Sequence, residues 1–222
     1  MFGQASFGDN IHFSTGGYNN ISWTITMSGG EAVLSFTNNE IDTTEPSPDA
    51  AINDLIELPD MTLTNLLVTN IGGLDMVSAT LIPIDPSLTI NADVASGTAS
   101  AGQVVMSANL MEGTFLSVGA NFMAYSNVQD DLNSISHVAG YSDVIDVFAA
   151  ANLAGYDVDL SFSGDASGSL SDLLGGTADG SVSGSLSGQI TAAIPEPSTA
   201  VLCLGFLVSG VCLFRRGQLS SR

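Results

Sequence analysis

ISWTITMSGGEAVLSF, residues 21–36, decides the fold class of this chain. Ile21, Trp23, Ile25 and Met27 alternate with Ser22, Thr24 and Thr26. A repeat of two residues puts one set on each face of a strand and marks it as half-buried. Ser28-Gly29-Gly30-Glu31 then breaks the pattern with turn residues, and Ala32, Leu34 and Phe36 resume it. Two alternating runs joined by a glycine pair predict a β-hairpin.

Outward from this hairpin the same grammar continues. Strand-like runs at 62–69, 76–84, 87–94, 103–111 and 114–124 are separated by Gly, Pro and Asp. Residues 38–49 read as a turn-rich loop, and Ser47-Pro48-Asp49 as the entry to a short helix through Leu58. Ser126 and Gln129 form a capping box ahead of Val128, Leu132 and Ile135, with Gly140 as the stop. A stronger helix starts at Ser142-Asp143, carries Val144, Val147, Phe148 and Ala151 on one face, and ends at Gly155. Residues 156–170 and 180–194 hold apolar residues or Gly at even positions and mostly Ser or Asp at odd ones, around a turn-like segment at 171–179. Antiparallel pairing places both apolar sets on one face. An unbroken strand of that length runs about 50 Å, so bends are expected at Gly164, Gly168, Gly184 or Gly188. No period of solenoid length is present. The expectation is a mainly β chain. Its domain at 1–194 is antiparallel, β-sandwich-like or barrel-like, with one or two short helices, and a C-terminal transmembrane helix follows it.

Charge excludes several functions. The chain has 23 acidic and 3 basic residues, a formal net charge of −20. The basic residues are Arg215, Arg216 and Arg222. Residues 1–194 hold every acid except Glu196, so 22 carboxylates stand there with no Lys or Arg. Nucleic acid needs cations to displace phosphate counterions, and none are present. An anionic lipid surface repels such a domain, phosphoryl transfer lacks a clamp, and no Schiff-base lysine exists. Solubility and attraction for cations follow, at the cost of self-repulsion. Cys203 and Cys212 both lie in the C-terminal apolar run. Residues 1–194 therefore offer no disulfide, thiol nucleophile or Cys-ligated zinc.

The C-terminus is ordered in three parts. Pro195-Glu196-Pro197 excludes helix and strand interiors and favours an extended segment. AVLCLGFLVSGVCLF at 200–214 is uncharged. With Ser198 and Thr199 it makes a helix of about 25 Å, near the lower limit for a bilayer core. Arg215-Arg216 follows at once, which predicts a cytoplasmic C-terminus. This order resembles the PEP-CTERM sorting signal, a segment also labelled the ice-binding protein C-terminal domain; that label describes the tail. The resemblance covers about a tenth of the chain, and divides it into a domain at 1–194, a signal at 195–216 and a short cytoplasmic tail at 217–222. It implies export in a Gram-negative bacterium, a pause in the inner membrane, and recognition by an exosortase, a membrane-embedded protease. That partner cuts near Pro195, Glu196 and Pro197 and releases the protein to the cell surface or extracellular polysaccharide. Arg215 and Arg216 are the stop-transfer residues. Such substrates carry a signal peptide; residues 1–10 show none, so a start upstream of Met1 is expected, with Gly3-Gln4-Ala5 near the cleavage site.

Candidate chemistry in the domain is sparse. His12 and His137 are the only histidines and read as structural or surface residues. Calcium is the one cofactor the composition invites, with Asp157 and Asp159 on one strand face as candidate ligands and Asp130-Asp131 and residues 175–179 as lesser ones. Solvated carboxylates are the simpler account of all of them. Carbohydrate stacking would use Trp23, Tyr18, Tyr125, Tyr141 or Tyr156, but Trp23 falls on the apolar face of its hairpin and is expected in the core. The Thr24/Thr26 and Thr62/Thr64 pairs read as ordinary strand exteriors. No catalytic constellation stands out. The expected function is a non-enzymatic cell-surface or extracellular-matrix protein. The alternative is a carbohydrate-binding or glycoside-acting protein delivered to exopolysaccharide.

Overall fold

The computed structural model describes residues 6–14, 22–37, 39–45, 49–96, 98–119, 121–124, 131–176 and 179–194. In chain order the elements are β1 (Ser6–Ser14), β2 (Ser22–Ser28), β3 (Glu31–Thr37), β4 (Asn39–Glu45), β5 (Leu55–Glu57), β6 (Met61–Ile71) and β7 (Leu74–Pro83). They continue with β8 (Ser87–Asn91), β9 (Val104–Leu110), β10 (Gly113–Val118), β11 (Asn121–Ala124), β12 (Leu132–His137), α1 (Asp143–Leu153), β13 (Val158–Ala166), α2 (Leu170–Gly175) and β14 (Gly180–Ile194).

The predicted hairpin is β2–β3. Gly29 and Gly30 sit at φ 60° and 88°, the left-handed pair that a two-residue turn needs to match strand twist. Neighbour by neighbour, β14, β13, β11, β10, β7, β6, β3 and β2 form an antiparallel sheet, and β2 returns to pair with β14. The result is a closed eight-stranded barrel, a size whose interior side chains can fill. Trp23, Phe115, Phe122 and Phe162 occupy it, all buried. Trp23 meets Phe122 edge-on at 4.8 Å, and Phe122 stacks on Phe115 at 5.3 Å.

β14 serves two sheets along one edge. Gly180–Gly184 pairs with β2, whereas residues 187–194 pair with β1. On its other edge β14 pairs with β13, Val158 facing Ala192 and Phe162 facing Gly188, which is the predicted pairing with both apolar sets inward. Between the two partners the indole N–H of Trp23 donates to the Ser185 carbonyl at 2.7 Å. Gly184 and Gly188 bracket this exchange. A Cβ at Gly184 would collide with the Asp165 carbonyl oxygen, and one at Gly188 with the Phe13 ring. Two of the four glycines expected to relieve the long strand thus lie where it changes partner.

From β1 a second sheet runs through β4, β5, β8, β9 and β12. It bends back on the barrel. The carboxylate of Asp131, just before β12, accepts the Leu160 N–H of β13 at 2.9 Å. Helix α1 packs against β12, β14, β1 and β13. It buries Val144, Ile145, Phe148, Ala149 and Ala151 there. Ser142 is its N-cap, accepting the Ile145 N–H at 3.1 Å, as the sequence predicted.

Several expectations need correction. Residues 50–53 form turns and 55–57 form β5 in place of a helix through Leu58. Ile56 is held in register with Ile90 and Asn39 on either side, and this pairing overrides the local helix signal. The loop expected at 38–49 contains β4. The helix expected up to Gly140 is strand β12; its residues 126–130 lie outside the described residues. Ser134 at φ 54° shifts the register between Asn133 and Ser136. That irregularity breaks the two-residue alternation and leaves Leu132 and Ile135 at a helix-like spacing. The run 114–124 is two strands, β10 and β11, and the turn-like 171–179 includes most of α2. Among the described residues no helix is long and apolar enough to cross a membrane. The apolar run at 200–214 lies outside them.

Candidate functional site

The sorting motif Pro195, Glu196, Pro197 and the basic pair Arg215, Arg216 also lie outside the described residues. What the fold places is their point of departure. Residue Ile194 is the last of β14, and its backbone pairs with Ser6, the first residue of β1. The chain before Ser6 and the chain after Ile194 therefore leave from one corner. That corner is shared with the start of β13, since Val158 pairs with Ala192. Register does this: β1 and β13 are the two antiparallel neighbours of the C-terminal half of β14.

The weak calcium candidates lie close by without forming a cage. Asp157 is half-buried just ahead of β13, and Asp159 sits on β13 opposite Thr191. Among the described residues no group of three His, Cys, Asp or Glu side chains is placed to share a metal ion. Residue 130 is outside the described residues, and Asp131 is committed to Leu160 N–H. Of the two histidines, His137 Nε2 lies 3.1 Å from Asp146 Oδ1 of α1, a helix-to-strand contact that suits a structural residue. His12 is half-buried on β1.

Trp23 is wholly buried and Tyr141 nearly so. Tyr156 is exposed, while Tyr18 and Tyr125 are outside the described residues. Thr24 and Thr26 lie outward on β2, Thr62 and Thr64 outward on β6, consistent with plain strand exteriors.

Two polar features were not anticipated. The first is a buried clamp. Asp54, 1% exposed, accepts the Tyr141 hydroxyl through both carboxylate oxygens at 2.8 and 3.0 Å, and the Asp93 N–H at 3.0 Å. Nearby, Asp49 accepts the N–H groups of Ala51 and Asp143, both at 2.9 Å. These bonds join the β4–β5 connection, the segment after β8 and the N-terminus of α1. Burial pushes the Asp54 carboxyl up from its ordinary value, against the two hydrogen bonds that favour its charged form. Burial, then the Asp54 carboxylate, push the Tyr141 phenol far up. The cluster ties segments together; its hydroxyl holds its proton more firmly, which is the reverse of an activated nucleophile. Nothing in the sequence joins residues so far apart.

The second is an open groove of about 410 Å³ at the end of the barrel where β6 turns into β7 and β10 into β11, lined by Gly73, Asp75, Gly119, Ser167, Ser169 and Ser171 among others. Ser171 donates to Asp75 at 3.1 Å and Asn70 Nδ2 to the same carboxylate at 2.6 Å. A serine bonded to a carboxylate, with no imidazole among the lining residues, is not a nucleophile–base pair of the kind acyl transfer requires. No family model, no curated protein and no solved structure matches this chain.

Proposed function

We propose that this chain is an exported surface or extracellular-matrix protein, handled through a C-terminal sorting signal of the PEP-CTERM type. One observation carries the proposal: the order Pro195-Glu196-Pro197, then the uncharged run 200–214, then Arg215-Arg216. Each part has a separate physical role. The prolines keep a protease site extended. The apolar run partitions into a bilayer, and the arginines stop transfer and orient it. The domain composition supports the same reading, because a chain with 22 carboxylates and no Lys or Arg in residues 1–194 suits a solvated exterior. The fold supports it geometrically. β14 runs up to Ile194, so the motif follows the last strand residue with no intervening stalk. The domain acts here by binding or by structure, not by catalysis.

The test is the intact mass of the protein recovered from host cells and medium. A C-terminus near Pro195-Glu196-Pro197 supports processing by an exosortase-type protease. A chain intact through Arg222 in the membrane fraction refutes the sorting proposal and leaves a permanent anchor.

A further inference from the structure

We infer that the loop closing helix α1, Leu153-Ala154-Gly155-Tyr156, docks on the lipid surface while the C-terminal run is inserted. The inference rests on the proposal that residues 200–214 enter a bilayer, and adds to it the orientation of the domain. Leu153 is 91% exposed and Tyr156 is 41% exposed. Exposed apolar side chains occur elsewhere on the domain, Ile71 and Leu74 among them, and singly they are ordinary. The place of Leu153 matters more than its exposure. Tyr156 lies two residues before Val158, and Val158 pairs with Ala192, two residues before Ile194. The loop therefore stands beside the corner from which the tail departs.

Chain length then limits the distance to the membrane. From Ile194 to Ser198 there are four residue steps, which span at most about 14 Å when fully extended. The headgroup layer on one side takes up about 6 Å of that. As a helix, Ser198 to Phe214 would span about 25 Å against a hydrocarbon core of about 30 Å, a shortfall that would draw its flanks toward the bilayer. The corner at Ile194 is thereby held close to the headgroups, and the neighbouring loop with it.

The loop is built for such a surface. Its backbone is fixed before contact by Ala154 N–H to Ala150 O at 3.0 Å, Gly155 N–H to Asn152 O at 3.1 Å and Tyr156 N–H to Ala151 O at 2.9 Å. Docking therefore orders little that was free. The four residues carry no charge, within a domain rich in carboxylates. Leucine suits the acyl boundary, and tyrosine, with an apolar ring and a polar tip, the headgroup level. The domain's charge selects zwitterionic over anionic lipid as the docking surface.

The full chain, reconstituted in phosphatidylcholine vesicles with and without bromine on the acyl chains, tests this. Leu153→Trp places a reporter in the loop; Leu74→Trp, exposed at the opposite end of the barrel, is the control, and wild type supplies the signal of buried Trp23. Emission from Leu153→Trp should fall about twofold more on brominated vesicles than that of the control, as expected for insertion at the acyl boundary. Chain that floats with the vesicles while Leu153→Trp is quenched no more than Leu74→Trp overturns the docking alone. Chain that does not float with vesicles at all overturns the membrane insertion of the tail, and the docking with it.

Discussion

Replacing Tyr141 by Phe removes one hydroxyl and keeps the ring, so it isolates the clamp on Asp54. In the native fold that hydroxyl is within 3.0 Å of both Asp54 oxygens, and the carboxylate is 1% exposed. A hydrogen bond to a charged group contributes about 1.5–3 kcal/mol, and a buried acceptor stripped of its donor keeps its full desolvation penalty. One other donor to Asp54 remains, the Asp93 N–H. The expected loss at pH 7 is therefore about 2–3 kcal/mol. For a chain of this size that lowers the melting temperature by roughly 4–12 °C. The loss must also depend on pH. The hydroxyl favours the charged form of Asp54, so its removal costs less where the carboxyl is already protonated. Thermal unfolding of the full chain in detergent at pH 7 and near pH 4, beside wild type, measures both. A change under about 0.5 kcal/mol at pH 7, or a loss that grows on acidification, would refute the role given to the clamp.

Wild-type stability should itself rise as pH falls from 7 toward 4. The folded-state pKa of Asp54 is raised above the ordinary value of a free Asp carboxyl by burial. Between the two values the folded chain binds more protons than the unfolded one, and stability falls as pH climbs through that window. A melting temperature that drops over this range contradicts the account. Gly184→Ala should destabilise by about 1–3 kcal/mol or more, because the colliding atom is the backbone oxygen of Asp165. Gly29→Ala meets nothing within 4 Å and pays only for φ 60°, about 1–2 kcal/mol. Denaturant unfolding of the pair ranks them, and equal losses would mean that the junction at Gly184 is not tight.

Long alternating segments were legible because their signal is local. Residues 21–36 contain both strands and the glycine pair of one hairpin, and 156–166 and 180–194 share a parity that fixes which faces meet. Helix α1 was legible for the same reason, with Ser142, its apolar face and Gly155 all within one short span. Charge and the C-terminal order needed no fold at all. Elements whose identity depends on distant partners were misread. β5 is three residues long and exists through its pairing with β4 and β8. β12 carries a register shift that disguised its period. Closure of the barrel by β2 on β14, the transfer of β14 to β1, the Asp54–Tyr141 clamp and the meeting of Ser6 with Ile194 all join residues more than 80 positions apart. Alternation states which face of a strand is apolar; it does not state which strand lies beside it. Those partners are chosen by the packing of the whole chain, and so the corner from which the tail departs was decided only in three dimensions.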